Sequence, residues 1–514
     1  MKQFNNMKNL KPYEIFEFGK ECFNKKNYEL SLKVFNESRK YKEFYENSIF
    51  EIIKIYFECK QYRKVVLYSN KSIKVFKNKD LKNNIKIILA KLYKIIEKEE
   101  KALKILDSIK DKSIRKKEYF VWERLDISFL IFNRSFRVSE FSGNIKRLKK
   151  EFSKIKNLPP QNKAQLFYIS RVSNFLHNYN FTKNLINKYK KKFDYIDAFY
   201  DNAILNEFEI ATKKIILKSK PRSMWIATSS KCNIHCKMCY AHKINWVLSP
   251  DNVKDICEYM PYLESIVWWG GEPTISDLFY KMLNYSLQFK NIKHFIVTNG
   301  QYMPKKFLDI VSKNNMELMI SIDSGDRKTY ETIRKGASFS KLEENLSKLS
   351  KLINPELIKI NVVVMKNNLY ELNKIVNFAK KFNIKNFSLR PICGDSTVKG
   401  KINLQDITYI NSKIKELKNI NVCNSSSIIK EDKKIGNNKI KGYCHVPWTD
   451  ITFSYHGSLS CDNLCEFFGN PLFILKKDNM HEYWNSSLIQ KLRKKIIKIG
   501  CCNINCPKAN VKNI

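Results

Sequence analysis

The sequence predicts an α/β protein in which a parallel sheet of βα units follows an all-α region and precedes a small cysteine-rich part. Three observations lead to this prediction. Residues 1–215 have helical periodicity throughout. Six short apolar runs then alternate with amphipathic stretches, as in parallel strands that are joined by helices. Six of the 14 cysteines fall between Cys444 and Cys506, which is typical of a metal or cluster site in a chain without an export signal.

We therefore expect three domains, over residues 1–215, 216–424 and 441–514. The length of 514 residues and the hydrophobic fraction of 43% permit more than one core. The first residues contain no apolar segment typical of a signal peptide, and the chain has no apolar run of about 18 residues. A soluble, cytoplasmic protein without a membrane partner is expected.

The formal net charge of +44 raises the question of a nucleic-acid partner. A nucleic-acid site clusters its basic residues on one face and interleaves them with aromatic residues. Here lysine is abundant in every part of the chain, together with asparagine and isoleucine. We therefore attribute the charge to composition, and a nucleic-acid partner is not expected.

The first 110 residues contain a repeated pattern. Small and large side chains recur with the offsets 3, 6, 3, 4 and 3 in three units, which begin at Gly19, Ile53 and Ala90. These offsets are helix spacings with a break in the middle, so each unit is expected to be a helical hairpin. The pattern resembles the tetratricopeptide repeat, whose concave side suits an extended peptide or a partner helix. An ordinary amphipathic helical bundle is the alternative, because its spacings are the same.

The six apolar runs after residue 222 predict the strands of the sheet. They are SMWIATSS, SIVWWGG, KHFIVTNG, ELMISIDS, IKINVVVMK and NFSLRPI. Six strands with helices between them predict a partial (βα)6 TIM-like barrel, and its active site is expected where the carboxyl ends of the strands meet.

A C-x3-C-x2-C pattern follows the first strand, in the sequence KCNIHCKMCY. Three thiolates on one loop, from Cys232, Cys236 and Cys239, can bind three irons of a cubane and leave the fourth iron open. A structural zinc site is the alternative, although zinc sites favour pairs of C-x2-C. His235 is expected to face solvent.

The pattern, followed by an aromatic residue, resembles the radical SAM superfamily. This resemblance implies that Cys232, Cys236 and Cys239 hold a [4Fe–4S] cluster and that S-adenosylmethionine (SAM) chelates its open iron. It also implies that Tyr240 lies beside the adenine. On this basis the three cysteines are the candidate catalytic residues of a radical SAM enzyme.

The strand ends that follow extend the resemblance. After the second strand comes a GGEP sequence, whose glycines allow close approach of backbone and whose glutamate can accept a hydrogen bond from a ligand ammonium. Without a ligand, such a sequence is an ordinary turn. The family pattern implies SAM-binding roles for Gly270, Gly271, Glu272, Pro273, Asn299, Ser321, Asp323 and Arg334. Arg390 is a further candidate.

The C-terminal cysteines resemble the SPASM extension, an auxiliary iron–sulfur domain of many peptide-modifying radical SAM enzymes. The resemblance implies one auxiliary cluster on Cys444, Cys461, Cys502 and Cys506, with Cys465 and Cys501 as substitutes. A zinc knuckle is the alternative.

These resemblances imply a radical SAM enzyme that modifies a side chain of a peptide or protein, held by the N-terminal helices and supplied with electrons by a flavodoxin or ferredoxin. Oxidation of a small molecule such as a sugar is a second hypothesis. A helical-repeat scaffold with a structural or sensory cluster is a third.

Overall fold

The structure is a computed structural model, and it describes residues 10–96, 98–134, 148–239, 241–314, 316–392, 402, 404–417, 420–424, 443–454, 457–459 and 483–499. The chain divides into two compact units. We call Met1–Arg134 with Lys146–Leu158 the helical unit, and 135–145 with 159–514 the sheet unit. No helix in these ranges is both long and apolar enough to pass through a bilayer.

The described part of the helical unit consists of helices only. They are α1 (Pro12–Asn24), α2 (Tyr28–Ser38), α3 (Tyr45–Glu58), α4 (Tyr62–Val75), α5 (Lys79–Ile95), α6 (Glu99–Asp107), α7 (Lys112–Lys116), α8 (Glu118–Arg134) and α9 (148–155). The pairs α1/α2, α3/α4 and α5/α6 pack against each other. Each pair spans one unit of the sequence pattern, and the turn between its helices lies where the offsets place the break.

Contacts at the repeated positions explain the choice of small residues. A Cβ atom on Gly19 would lie 2.8 Å from the Phe35 ring, so only glycine allows this approach of α1 and α2. The Ser31 hydroxyl donates to the Gly19 carbonyl over 2.8 Å. Lys26 and Lys60, which are 34 positions apart, both adopt a positive φ, of 58° and 56°, in the turn that follows the first helix of each pair. Helical pairing is confirmed, whereas membership of the tetratricopeptide family stays a prediction.

The three helices that follow belong to the sheet unit, although the sequence analysis grouped them with the N-terminal helices. They are α10 (Lys163–Phe175), α11 (Tyr179–Tyr189) and α12 (Ala198–Ala211). Glu207 on α12 forms a buried ion pair with Arg222, with 2.7 Å between Oε1 and Nη1. The Asn206 side chain donates to the Trp448 carbonyl over 2.7 Å. These buried polar contacts attach α12 to the sheet unit, and the two units divide near residue 158. The three predicted domains stay a prediction.

The described strands form one nine-stranded sheet and a separate two-stranded ribbon. The strands are β1 (Ser223–Ala227), β2 (His235–Cys236), β3 (Ser265–Trp269), β4 (Lys293–Thr298), β5 (Glu317–Ser321), β6 (Arg334–Lys335), β7 (Ile358–Val364), β8 (Asn386–Pro391), β9 (Asn421–Asn424), β10 (Asp450–Ser454) and β11 (Gly457–Leu459). The sheet order is β11-β10-β1-β3-β4-β5-β7-β8-β9, and β2 pairs with β6. All pairs in the sheet are parallel except β10–β11.

All six predicted strands are present and adjacent in sequence order, as β1, β3, β4, β5, β7 and β8. Strands β9, β10 and β11, which extend the two edges of the sheet, were not predicted from the sequence. The helices of the sheet unit after β1 are α13 (Pro250–Tyr259), α14 (Asp277–Ser286), α15 (Lys305–Asn314), α16 (Arg327–Ile333), α17 (Phe339–Leu352), α18 (Leu372–Lys380), α19 (Leu404–Glu416), α20 (Val446–Thr449) and α21 (Ser487–Ile499). The parallel α/β architecture is confirmed, and closure into a partial barrel stays a prediction.

Burial alternates along the central strands. In β7, residues 358, 360, 362 and 364 are buried in the main core, and the intervening Lys359, Asn361 and Val363 are half-buried. We call the second face, on which these three side chains lie, the accessible face of the sheet. Because strand pairing is in register, this face continues across the sheet.

We predict that Glu207→Ala destabilises the sheet unit by about 3–5 kcal/mol, because the buried guanidinium of Arg222 loses its hydrogen-bonded carboxylate and keeps only the charges of Glu264 and Asp450 near it. Urea unfolding with hydrogen exchange of β1 and α12 amides measures the effect. Glu344→Ala is the control, since it breaks an exposed pair with Lys348 and should leave the unfolding midpoint unchanged. Equal loss of protection in the helical unit would contradict the assignment of α12 to the sheet unit.

Candidate functional site

The segment of residues 228–239, which we call the cysteine loop, follows the carboxyl end of β1. Cys232 and Cys236 are half-buried and Cys239 is exposed. The Cys239 amide donates to the Cys236 carbonyl over 3.0 Å, which makes a turn between the last two cysteines. Pairing of β2 with β6 places Cys236 opposite Arg334 and the exposed His235 opposite Lys335. The ribbon therefore holds the end of the cysteine loop.

The GGEP segment holds the beginning of the same loop. The Gly271 amide donates to the Ser229 carbonyl over 2.9 Å, and the Glu272 amide donates to the Lys231 carbonyl over 2.8 Å. Gly270 has a φ of +124°, and a Cβ atom on Gly271 would lie 2.0 Å from the Lys231 carbonyl oxygen. The glycines do allow a close backbone approach, as expected, but the segment they approach is the cysteine loop.

Glu272 is buried, and its carboxylate accepts hydrogen bonds from the protein itself. The Thr274 amide and hydroxyl and the Thr298 hydroxyl donate to Oε1 over 3.2, 2.7 and 2.8 Å. The Asn299 amide donates to Oε2 over 2.7 Å. Burial raises the pKa of Glu272, although these hydrogen bonds counter the effect. The expected acceptor of a ligand ammonium therefore joins the ends of β3 and β4, and Pro273 begins the turn that follows it.

Asn299 connects Glu272 to the cysteine loop. Its side-chain nitrogen lies 3.6 Å from Sγ of Cys232 and donates to the Asn233 side chain over 2.8 Å. Its side-chain oxygen accepts from the Gln301 amide over 2.9 Å. The resemblance gave Asn299 a role in SAM binding, whereas the structure directs its amide to a cysteine sulfur. Burial raises the pKa of the Cys232 thiol.

Arg334 contacts both Asp323 and Cys236. Its Nη2 lies 2.8 Å from Oδ2 of Asp323, and its Nη1 lies 3.7 Å from Sγ of Cys236. Oδ1 of Asp323 accepts from the Val363 amide over 2.8 Å, which fixes the carboxylate at the end of β7. The resemblance directs Arg334 to the SAM carboxylate, whereas its guanidinium here lies against a protein carboxylate and a cysteine sulfur.

Burial shifts the pKa values of Cys236, Asp323 and Arg334. Burial raises the pKa of the Cys236 thiol to about 11, although the charge of Arg334 acts in the opposite direction. Burial also raises the pKa of Asp323, and Arg334 counters that shift. For Arg334, burial alone would lower the pKa, but Asp323, Cys236 and Tyr330 together raise it. A positive group beside Cys236 stabilises its thiolate, the form that binds iron.

Ser321 lies on the accessible face, in a row of polar residues. It pairs in register with Asn361 on β7, and Asn361 pairs with Ser388 on β8. The side-chain oxygen of Asn361 is buried and has no hydrogen-bond partner among the described residues. Arg390 is exposed two positions beyond Ser388. Asn361 was not singled out from the sequence, although its polar side chain in the apolar run IKINVVV was a usable signal.

Several predicted ligands lie outside the described residues: Tyr240, Cys461, Cys465, Cys501, Cys502 and Cys506. Cys444, the remaining predicted auxiliary ligand, is half-buried two positions before α20. The structure therefore describes the surroundings of the cysteine loop but not those of the predicted auxiliary cluster.

The cysteine loop has the donor set for a cubane cluster. Among the described residues, no group of three His, Cys, Asp or Glu side chains converges as a single-ion site would require. A cubane makes a different demand, because each of three thiolates binds a separate iron. The three thiols lie near enough to influence one another electrostatically, since the charge of Cys239 raises the pKa of both Cys232 and Cys236. Cys232, Cys236 and Cys239 would hold such a cluster.

Residues 226–379 match the radical SAM superfamily. The chain is 25% identical over 291 residues to the radical SAM cyclopropyl synthase TigE of Paramaledivibacter caminithermalis, a match that covers 46% of this chain and 59% of that protein. It is 30% identical over 153 residues to an S-adenosylmethionine-dependent nucleotide dehydratase of Selenomonas ruminantium, with coverages of 26% and 54%. The chain thus spans between 52% and 59% of the length of the curated relatives it matches.

Among solved structures, Streptococcus suis SuiB bound to the precursor peptide SuiA is similar with a TM-score of 0.47 and 17% identity, covering 68% of this chain and 87% of that one. The family match coincides with the strands and loops that surround the three thiols, from β1 to α18. Residues 226–379 thus match a family whose cofactors are a [4Fe–4S] cluster and SAM.

Proposed function

We propose that this chain is an enzyme that reductively cleaves SAM and abstracts hydrogen from a side chain of a peptide or protein. The observation that best supports SAM cleavage is that the cysteine loop is attached to the rest of the sheet unit at both of its ends. The GGEP segment bonds to its beginning, and the ribbon bonds to its end. Such a loop presents three thiols without the loss of entropy that ordering a free loop would cost.

When bound, the cluster supplies one electron to SAM, whose carbon–sulfur bond breaks to give methionine and a 5′-deoxyadenosyl radical that takes a hydrogen atom from the substrate. The residues of this chain hold and tune the site. Cys232, Cys236 and Cys239 would bind three irons, and Asn299 and Arg334 would donate hydrogen bonds to two of the sulfurs. Hydrogen bonds to cluster sulfurs are one of the means by which proteins set the reduction potential.

The remaining SAM-binding roles are proposals for strand ends on the same side of the sheet. Ser321 is half-buried at the end of β5 and lies in the polar row with Asn361. The GGEP residues would act by holding the cysteine loop in place; they are Gly270, Gly271, Glu272 and Pro273. Asp323 would act by holding Arg334 in place. Tyr240 is proposed beside the adenine because it directly follows Cys239.

The helical unit supports a peptide or protein as the substrate. Its helix pairs have equivalent turns 34 positions apart, and a stack of such pairs offers an extended surface for a peptide. We further propose one auxiliary cluster on Cys444, Cys461, Cys502 and Cys506, and a flavodoxin or ferredoxin as electron donor. An iron content of about eight atoms per chain would support the auxiliary cluster, and about four would contradict it.

A small molecule is the second candidate substrate. One of the curated relatives is named as a nucleotide dehydratase, and the polar row of Ser321, Asn361 and Ser388 offers hydrogen bonds to a small polar molecule. Transfer of deuterium from labelled substrates into 5′-deoxyadenosine distinguishes the two candidates. Transfer from peptides supports the first, and transfer only from nucleotides or sugars supports the second.

We predict that Cys236→Ala lowers the rate of 5′-deoxyadenosine formation from SAM to background, because one iron loses its thiolate. The assay uses full-length protein after anaerobic reconstitution with iron and sulfide and reduction with dithionite. Cys59→Ala is the control, since Cys59 is exposed on the helical unit, and its product rate should equal that of the unsubstituted chain. If the unsubstituted, cluster-loaded chain forms no 5′-deoxyadenosine, the proposed enzyme is contradicted and a scaffold is favoured.

We also predict that Asn299→Ala lowers the midpoint potential of the cluster, because an amide donor to the sulfur of Cys232 is lost and the reduced, more negative state is stabilised less. The paired variant Arg334→Gln with Asp323→Asn should lower it too, and it avoids leaving Asp323 buried without its counter-charge. Redox titration followed by electron paramagnetic resonance measures the potential.

Arg63→Gln is the matched control for these potentials. It removes an arginine from an exposed position on α4 of the helical unit and should leave the midpoint unchanged. Unchanged potentials in the Asn299 and Arg334 variants, measured in protein with full cluster content, would rule out the hydrogen bonds to sulfur.

A further inference from the structure

The β2–β6 ribbon has two chemically different faces. Successive side chains of a strand point to opposite sides, and residues directly opposite each other on paired strands share a side. Cys236 and Arg334 are paired, so they share the inner side, where Arg334 is only 4% exposed. His235 and Lys335 are paired on the outer side. Lys237 directly follows β2 with an exposed side chain, and its amide donates to the Ile333 carbonyl over 2.9 Å. We call His235, Lys237 and Lys335 the outer ribbon face.

All three side chains of the outer ribbon face are exposed, and the flanking sequence is basic. Residues 228–249 contain no acidic residue. Residues 327–341 contain a single acidic residue, Glu331, whose carboxylate accepts from the Phe339 amide over 2.8 Å. Exposed basic side chains in these two segments are Lys231, Lys237, Lys243, Arg327, Lys328, Lys335 and Lys341. The region around the ribbon therefore attracts acidic surfaces.

Only one strand of the ribbon, β2, lies between solvent and the sulfur of Cys236, a proposed cluster ligand. The Cys236 side chain lies on the inner side of β2, and the exposed side chains lie on the outer side of that strand and its partner. A molecule that contacts the outer ribbon face is consequently one strand away from the sulfur of Cys236. Electron transfer benefits from such a short separation, and charge complementarity brings an acidic protein to it.

We propose that the outer ribbon face docks an acidic one-electron carrier protein, such as a flavodoxin, that reduces the cluster. This proposal rests on the proposed function. In the docked complex the carrier is oxidised by one electron and the cluster is reduced by one, with no bond made or broken. Docking by surface lysines acts mainly on the association rate and weakens as ionic strength rises. RNA is also acidic, but the position of this face behind a cluster ligand favours a redox protein.

The test compares two double charge reversals in the full-length, reconstituted chain. Lys237→Glu with Lys335→Glu reverses the outer ribbon face. Lys290→Glu with Lys385→Glu is the control. These exposed lysines lie shortly before β4 and β8, at the amino ends of the strands, whereas the cysteine loop follows the carboxyl end of β1. Both variants change the net charge by the same amount. The dissociation constant for flavodoxin and the rate of cluster reduction by reduced flavodoxin are measured at low and high salt, with reduction by dithionite alongside.

At low salt we expect the ribbon variant to have a dissociation constant for flavodoxin at least about tenfold higher, and a rate of reduction by flavodoxin at least about tenfold lower. At high salt both values should differ little from those of the unsubstituted chain. The control variant should match the unsubstituted chain, and dithionite should reduce all three equally. Equal flavodoxin kinetics in the ribbon variant, or an equal loss in the control, would overturn the proposal. Tight binding of polyuridylate that depends on Lys237 and Lys335, without flavodoxin binding, would replace it with an RNA site.

Failure of the proposed function gives a different result. In that case even dithionite yields no reduced cluster and no 5′-deoxyadenosine from the unsubstituted chain. A chain that is reduced by dithionite and cleaves SAM, but is indifferent to charge on the ribbon, contradicts the docking surface alone.

Discussion

The close packing of the Gly270–Gly271 backbone against residues 229–231 is the constraint on which the site depends. A Cβ atom on Gly271 would lie 2.0 Å from the Lys231 carbonyl oxygen, so any other residue would force the two segments apart. This packing fixes the beginning of the cysteine loop, and the ribbon fixes its end. Between these two attachments, Cys232 and Cys236 lie beside Asn299 and Arg334.

The buried polar groups around the loop form two sets, each of which ends on a cysteine sulfur. Glu272 joins the ends of β3 and β4, Asn299 continues from β4 to Cys232, and Asp323 holds Arg334 against Cys236. Both carboxylates, of Glu272 and Asp323, are buried, and burying a charge destabilises the folded state unless the charge is paired or hydrogen-bonded. Replacing Arg334 alone would leave the carboxylate of Asp323 buried without its counter-charge. The residues that the family pattern directs to SAM thus also determine where the cysteine sulfurs lie.

The sequence was sufficient to predict the strands that carry a strong apolar signal. Runs such as IKINVVV are buried on one face, and their periodicity alone identifies them. The short strands were missed because β2 and β6 have two residues each and exist only through their pairing. The same limit applies to the partners of Glu272 and Arg334. Spacing along the chain indicates that a polar residue ends a strand, but only the fold determines which neighbour it contacts.

The helical region shows a similar limit at a larger scale. Periodicity identified helices up to residue 215, yet it carries no information about which core each helix joins. Glu207 and Asn206 look like ordinary polar positions of a helix, and their buried contacts with Arg222 and Trp448 assign α12 to the sheet unit. The N-terminal pairs, by contrast, have small residues at close helix contacts, and the sequence pattern predicted them correctly.

We propose that Cys232, Cys236 and Cys239 hold a cluster whose fourth iron binds SAM. The most direct test is electron paramagnetic resonance of the reduced, reconstituted chain with and without SAM, the SAM carrying ¹⁷O in its carboxylate or ¹⁵N in its amino group. We expect a [4Fe–4S] signal whose g values shift when SAM is added, with hyperfine coupling to the labelled atoms. A signal from a fully loaded cluster that is unchanged by saturating SAM, without coupling to either label, would contradict it.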